Sequence, residues 1–457
     1  MNVVNPATGE VVKSVPETAT SELPTLLAAA RLAQKSWAKR APGERKAIIT
    51  RFRELVVERK EELAQTLTLE VGKPIGQARN ELNGLLPRID FFLEHFEAEL
   101  APRGVLGTAS ESLEERIVFE PLGVIANVSA WNYPYFVGAN VFVPALLTGN
   151  AVLYKPSELS SLTGLAIAEL LHAAGVPKDV FQALIGGREL GAALLRLDVN
   201  GVFFTGSYAT GRKIAEVVAP RMIRLQLELG GKDPAYITDE VDVAAAAAAV
   251  ADGAFYNAGQ SCCAVERIYV HERIYARFLD AFVAEVKKFQ LGLPTEEATY
   301  LGPLCRGEAA LEALAEQVND AERHGGRVLT GGKRVDRPGY YFEPTVIADA
   351  KPDMRVMKDE SFGPIIGIAS VPGDQAALTA MADTEYGLTA AVYTTNEARA
   401  AQILAELPVG SAYVNCCDRV SPRLPWTGRK HSGIGSTLST LGIQAFLQPK
   451  AWHIRRA

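Results

Sequence analysis

The sequence predicts an α/β protein built on a doubly wound parallel sheet, with a second α/β lobe following it. Short apolar runs at 123–128, 151–156 and 201–206 alternate with helical stretches such as 162–175 and 211–218, which is how buried parallel strands and their crossover helices read. A second alternating series starts near Pro234-Ala235-Tyr236-Ile237 and runs through Arg267-Ile268-Tyr269-Val270 to Ser411-Ala412-Tyr413-Val414. At 457 residues the chain is long enough for two or three such units.

Along the chain, 21–100 is helical. It is rich in Ala, Leu, Glu and Arg and sets apolar residues three to four apart, as in Ile48, Phe52, Leu55 and Val56. The stretch 112–120 mixes charge with the β-branched run Ile117-Val118-Phe119, predicting an exposed strand or hairpin. The run of alanines 244–249 is a helix of small side chains.

Composition narrows the function classes. The chain is 48% apolar and 22% charged, with a net charge of -6, so no basic excess is available to neutralise a phosphate backbone. Nucleic acid is therefore excluded as a partner. The N-terminus has no basic stretch leading into an apolar one, and no apolar run is long enough to span a membrane, which predicts a cytoplasmic protein with no membrane association. Five cysteines, two adjacent pairs among them, fit free thiols better than a disulfide framework. Neither the cysteines nor the six scattered histidines have metal-ligand spacing, so no metal is expected.

Two short segments carry chemistry. Gly259-Gln260-Ser261-Cys262 places a thiol on a polar loop between the helical 244–255 and the strand-like 267–270. Cys262 is then either an accessible nucleophile or a small buried hydrophobe. Glu228, in Glu228-Leu229-Gly230-Gly231-Lys232, stands at the end of an apolar alternation where carboxylates reach clefts. A thiolate can attack a carbonyl carbon, and a carboxylate can activate the water that breaks the resulting thioester. A third segment, 205–211, contains Gly206, Ser207 and Gly211 and opens a helix after an apolar run. It offers either a phosphate cradle or an ordinary strand-to-helix turn.

Taken together with Asn5-Pro6-Ala7-Thr8-Gly9-Glu10, Trp131-Asn132-Tyr133-Pro134, Lys155-Pro156-Ser157-Glu158, Glu360-Ser361-Phe362-Gly363-Pro364, Tyr386-Gly387-Leu388-Thr389 and Lys430-His431-Ser432-Gly433, these segments make the chain resemble the aldehyde dehydrogenase superfamily over essentially its whole length. The resemblance implies a Rossmann-type NAD-binding domain (1–102 and 122–230), an α/β catalytic domain (231–435) and a protruding β oligomerisation segment (103–121 and 436–457). It also implies a homodimer or homotetramer. Cys262 corresponds to the nucleophile, Asn132 to the amide that holds the oxyanion, and Glu228 to the base that hydrolyses the thioester. The presence of Glu228 favours the hydrolytic branch over its CoA-acylating relatives.

For the cofactor, the resemblance assigns Lys155 and Glu158 to the adenine ribose and Trp131 and Ser207, with Gly206 and Gly211, to the pyrophosphate. It assigns Glu360 and Phe362 to the nicotinamide ribose and counts Leu229 among the cofactor-binding residues. A carboxylate at Glu158 suits ribose hydroxyls and repels a 2'-phosphate, which favours NAD while leaving NADP possible. The substrate, a small aldehyde, is expected in a channel lined by Tyr133, Val137, Asn140, Tyr256, Ser261, Cys263, Asp418 and Val420. Relatives that take succinate semialdehyde typically carry arginine where this chain has Asn140 and Tyr256. An uncharged or polar aldehyde is thus expected, unless Arg419 or Arg423 supplies a cation; a carboxylate-bearing semialdehyde, or a cofactor-binding protein without activity, are the alternatives. Where many relatives have lysine and glutamate in a proton relay, this chain has Val141 and Thr437.

Overall fold

The structure is a computed structural model that describes residues 1–105 and 112–455. Part of the predicted oligomerisation segment, residues 106–111 and 456–457, lies outside the described residues. The predicted N-terminal helical region resolves into four helices, Leu23–Ala38, Pro42–Glu58, Lys60–Val71 and Ile75–Leu100. Their apolar stripes pack on a sheet rather than on one another alone. The first meets strand Ala151–Lys155, and the next two cover helix Ser161–Ala174.

That sheet has six strands. In spatial order they are Gly433–Ile434, Arg224–Glu228, Gly201–Thr205, Val124–Val128, Ala151–Lys155 and Phe181–Ala183, all parallel except the first. The chain order of the five parallel strands therefore reverses between Val124–Val128 and Gly201–Thr205. In an open α/β sheet, the crevice beyond the carboxyl ends of strands at such a reversal is where ligands bind. Val124–Val128, Ala151–Lys155 and Gly201–Thr205 are almost wholly buried, since helices cover both faces; this is why they read as unbroken apolar runs instead of alternating ones.

The second sheet has seven strands, ordered Arg327–Thr330, Thr345–Ala348, Ile365–Val371, Val265–His271, Asp233–Ile237, Thr389–Tyr393 and Ser411–Val414, with only the first antiparallel. Each large sheet has its own core. The second core runs from Ala235 to Cys417, while the first also takes in Leu438, Ile443 and Phe446 from beyond residue 435.

The connection between the sheets positions the site. Arg224–Glu228 is the last parallel strand of the first sheet, and after four intervening residues Asp233–Ile237 begins at the heart of the second. The carboxyl edge of the first sheet thus faces the amino edge of the second. Register pairs Asp233 with Val265, so the start of Val265–His271, and the cysteine loop just before it, arrives at that same edge.

A third sheet stands apart. Leu113–Pro121 pairs antiparallel with Leu447–Arg455 over nine residues and with Arg103–Gly104 on its other side. From Gln448 to Arg455 the terminal strand is mostly exposed, Trp452 included. No described helix is long and apolar enough to cross a membrane.

Helix Val243–Phe255 carries the chain from the second sheet to the cysteine loop, and Asp242 caps it. One carboxylate oxygen accepts from the backbone N–H groups of Ala244 and Ala245 at 3.0 and 3.1 Å. Asp242→Ala removes both acceptors and is expected to cost about 1 kcal/mol, the usual scale for an N-cap. The check is a lowered midpoint in chemical denaturation, with the far-UV spectrum of the native protein unchanged.

Candidate active site

Cys262 is half-buried in the interval between the two large sheets, and all five cysteines are unpaired. The loop before it is held in an uncommon shape. Asn257, Ala258 and Gly259 all have positive φ, at 54°, 54° and 70°. At Gly259 a Cβ would run into the Gly363 carbonyl, so only glycine lets this loop meet the segment that precedes Ile365–Val371. The side chains lock it further. Asn257 Nδ2 donates to the carbonyls of Asn132 and Gln260, and Gln260 Oε1 accepts from the Cys305 N–H at 2.9 Å.

Asn132 is buried and follows strand Val124–Val128 of the other sheet. Its Nδ2 donates to the Gln260 carbonyl at 3.2 Å, which places its amide against the cysteine loop and leaves a second N–H for another acceptor. Glu228 reaches the same place by the short crossover. A Cβ on Gly231 would lie 2.8 Å from the Cys262 carbonyl oxygen, a direct measure of how closely the Glu228 segment passes the cysteine.

Glu228 is buried, accepts from Gln226 Nε2 at 3.1 Å, and also accepts from the Thr437 hydroxyl. Burial pushes its carboxyl up to about 7, against the opposing pull of the Thr437 hydroxyl, the Arg88 charge and the Thr205 hydroxyl. Thr437 arrives because Gly433–Ile434 pairs with the end of Arg224–Glu228 and turns the following chain over the carboxylate. The relay positions flagged in the sequence therefore part company: Thr437 touches Glu228, while Val141 is an apolar side chain buried in the first core.

Several of the residues expected at the cofactor stand at or just beyond the carboxyl ends of the first sheet's strands. Helix Tyr208–Val218 starts directly after Gly201–Thr205, and Ser207 is its N-cap, accepting from the Thr210 N–H. Gly206 donates its N–H to the Glu228 carbonyl, tying the two strand ends together. Gly211 is buried, and a Cβ there would lie 2.5 Å from Leu229 Cδ2, so glycine keeps the helix close to that strand end. Lys155 is buried, with Nζ 3.2 Å from the Pro156 carbonyl and 3.7 Å from Glu158, and burial lowers its pKa. Trp131 and Phe362 meet edge-to-face at 5.6 Å across the gap between the sheets. Glu360 accepts from the Gly231 N–H at 3.2 Å, and burial, then repulsion from Glu266, pushes its carboxyl up to about 7.

The residues expected in the channel fall into two groups. Tyr133 stacks on Phe136 at 5.8 Å, and Val137 and Asn140 follow on the same turn-spaced face of helix Pro134–Leu147. Tyr256 accepts from Asn80 at 3.3 Å. In the second group, Ser261 and Cys263 both donate to Asp418 Oδ1, at 3.3 and 2.9 Å, and Val420 packs against the first core as Cys262 does.

The sequence reading missed the charges that contact the first group. Lys73 and Glu81 form a fully buried ion pair, with Lys73 Nζ 3.7 Å over the Tyr133 ring. Arg88 donates to Asn140 Oδ1 at 3.2 Å and lies 4.0 Å over the Phe136 ring. The signal was in the spacing: Glu81, Leu85, Arg88 and Phe92 share one buried helical stripe, and charge on such a stripe needs a reason. Arg419 and Arg423, the cations considered from sequence, are exposed. Among the described residues no cluster of three or more histidines, cysteines or carboxylates could hold a metal ion.

The family model for the aldehyde dehydrogenase family matches residues 1–452. The chain belongs to that family. A succinate-semialdehyde dehydrogenase [NADP(+)] of Deinococcus radiodurans is 34% identical over 448 residues, covering 98% of this chain and 93% of that protein. A chloroplastic betaine aldehyde dehydrogenase of Amaranthus hypochondriacus is 33% identical over 458 residues, with 98% and 91% coverage. The solved betaine aldehyde dehydrogenase of Staphylococcus aureus in complex with NAD+ superposes with a TM-score of 0.96 at 29% identity, covering 100% of this chain and 92% of that one. This aldehyde dehydrogenase is thus an oxidoreductase that uses NAD(P) to oxidise an aldehyde to its carboxylic acid.

In this aldehyde dehydrogenase the Thr437 hydroxyl stabilises the ionised form of Glu228. Thr437→Val should therefore raise the carboxyl further above its ordinary value. Any rate that needs the carboxylate rises with pH through that pKa. The rising limb of the pH–rate profile is expected near pH 7 in the native enzyme and roughly one pH unit higher in the variant, the scale of one hydrogen bond to a charged group.

Proposed function

We propose that Cys262 is the nucleophile, Asn132 the oxyanion donor and Glu228 the hydrolytic base of an NAD-preferring aldehyde dehydrogenase. The observation that carries this is the meeting of three separate segments at one point: the cysteine loop, the Asn132 amide bonded to it, and the Glu228 crossover whose Gly231 abuts the Cys262 carbonyl. The Cys262 thiolate adds to the aldehyde carbon. The spare N–H of Asn132 then meets the oxygen as charge develops, a contribution of about 2.7–4 kcal/mol for one such donor. NAD, when bound, accepts the hydride that leaves the thiohemiacetal carbon. Glu228 takes a proton from water as that water attacks the thioester, and the Cys262 thiolate departs. A carboxyl titrating near 7 suits this step, being ionised at working pH yet basic enough to accept the proton.

The cofactor reading is supported by the crevice itself. Gly211 leaves the helix N-terminus close to the strand ends, and Ser207, Trp131 and Lys155 stand at or just beyond the carboxyl ends of the first sheet's strands, suiting an anionic pyrophosphate and its riboses. Glu158, half-exposed beside Lys155, favours the two ribose hydroxyls of NAD over a 2'-phosphate. Among the described residues the outer edge of strand Leu447–Arg455 pairs with no other strand, which supports a homodimer or homotetramer; the substrate in this reading is a small aldehyde and the compartment the cytoplasm.

Two experiments test the assignment. Cys262→Ser should abolish NADH formation while NAD still binds; Glu228→Gln should keep a rapid burst of NADH and slow the steady state at least a hundredfold as hydrolysis becomes limiting. Equal activity in either variant removes that residue from its role. For assembly, Trp452→Glu on the exposed edge is expected to lower the mass measured by light scattering, and an unchanged mass would place the interface elsewhere.

A further inference from the structure

Six cations are buried among the described residues: Arg45, Lys73, Arg88, Lys155, Lys232 and Arg267. Five have compensated charges or filled donors. Lys73 pairs with Glu81 and Lys232 with Glu266, while Lys155 lies beside Glu158 and the Pro156 carbonyl. Arg45 donates to the carbonyls of Leu147, Ala38 and Arg40, and Arg267 donates to those of Lys232, Ala380, Asp383 and Met381. Arg88 differs. It is 4% exposed, yet its one hydrogen bond among the described residues goes to the neutral Asn140 amide, and no described carboxylate lies within ion-pair distance.

A guanidinium carries five N–H donors, and leaving a buried charge without a counter-ion costs several kcal/mol in comparable sites. Here the charge is held in place rather than allowed to escape. Asn140 fixes its Nη1, and the Phe136 ring covers its face at 4.0 Å; both residues lie one turn apart on the helix that starts just after Asn132 and Tyr133. The Arg88 charge interacts most with Glu81, then with Glu228, Cys263 and Cys262, so it lies within electrostatic reach of the reaction centre. Burial lowers its pKa to about 10, which leaves it charged at neutral pH. The carboxylates nearby accept from other donors: Glu81 from Lys73 and the Tyr135 N–H, Glu228 from Gln226 and Thr437, and Asp418 Oδ1 from Ser261 and Cys263.

We propose that the missing partner of Arg88 is the substrate: the channel takes an aldehyde bearing a carboxylate, whose oxygens accept the free guanidinium N–H groups beside Asn140. This rests on the reading of the channel given above, and it reverses the expectation of an uncharged aldehyde. That expectation looked for arginine at positions 140 and 256. The cation instead comes from helix Ile75–Leu100 and is aimed by the asparagine that stands at one of those positions.

The test compares succinate semialdehyde with butanal and 4-aminobutanal as substrates. The native enzyme should favour the carboxylated aldehyde over butanal at least tenfold in kcat/KM. In Arg88→Gln that ratio should fall at least tenfold, chiefly through KM, and Arg88→Lys, which keeps the charge without the fork, should fall between the two. Calorimetric binding of succinate reads the same subsite without turnover. It should persist in Cys262→Ser and weaken at least tenfold in Arg88→Gln. An unchanged ratio in Arg88→Gln, a native preference for butanal or 4-aminobutanal, or no succinate binding to the native protein would overturn the proposal. Arg88-dependent succinate binding with no NADH from any aldehyde would support the subsite and count against the catalytic reading instead.

Discussion

The buried ion pair between Lys232 and Glu266 is the constraint on which the site's geometry depends. Nζ and Oε2 are 2.7 Å apart with both side chains almost wholly out of solvent. Lys232 ends the crossover that begins at Glu228, and Glu266 lies four residues beyond Cys262. The same carboxylate accepts from the N–H groups of Ser361 and Phe362 at 2.8 and 2.9 Å, and Lys232 also donates to the Ser361 hydroxyl at 3.0 Å. Three chain segments, those bearing the proposed base, the proposed nucleophile and the nicotinamide-side contacts, are thereby fixed by one charge pair. Desolvation lowers the pKa of Lys232 and Glu266 opposes that shift. Removal of either partner would leave the other charged in the interior, at a cost of about 3–5 kcal/mol.

That anchoring lets the cysteine loop hold an unfavourable shape. Ala258 at positive φ costs roughly 1–2 kcal/mol, since its Cβ crowds the following carbonyl. Asn257 tolerates the region better, and its side chain is used twice over, joining the loop to Asn132 and to Gln260. The loop is strained at its tip and bonded at its flanks, an arrangement that holds a reactive group in one position without burying it.

Much of this was legible in the sequence, for physical reasons. Parallel strands covered on both faces must be continuously apolar, so Val124–Val128, Ala151–Lys155 and Gly201–Thr205 announced themselves. Segments whose backbone approaches something closely must contain glycine, and Gly211, Gly231 and Gly259 mark three such approaches. Charge partners were a different matter. Which residue Arg88 meets depends on the packing of helix Ile75–Leu100 against Pro134–Leu147, fifty residues further on, and no local pattern encodes that packing. The same holds for Thr437, whose contact with Glu228 exists only because a two-residue strand closes the sheet edge. Where many relatives have a glutamate, the folded chain has a hydroxyl on the carboxylate.

The adjacent cysteines show how environment divides the chemistry between identical groups. Cys263 is buried and donates to Asp418, and its neighbour Cys262 together with burial pushes its thiol well up, so it stays protonated. Asp418 is itself pushed up to about 6 by burial, opposed by the hydrogen bonds it accepts from Cys263 and Ser261. Cys263 and Asp418 therefore each keep the other occupied: the protonated thiol donates its hydrogen bond to the carboxylate, and neither is free to act on a carbonyl. Cys262, one residue earlier and half-exposed, has no carboxylate acceptor among the described residues, and its loop is bonded to the Asn132 amide. Two thiols of equal intrinsic reactivity are separated by which of them the fold has bound to a carboxylate.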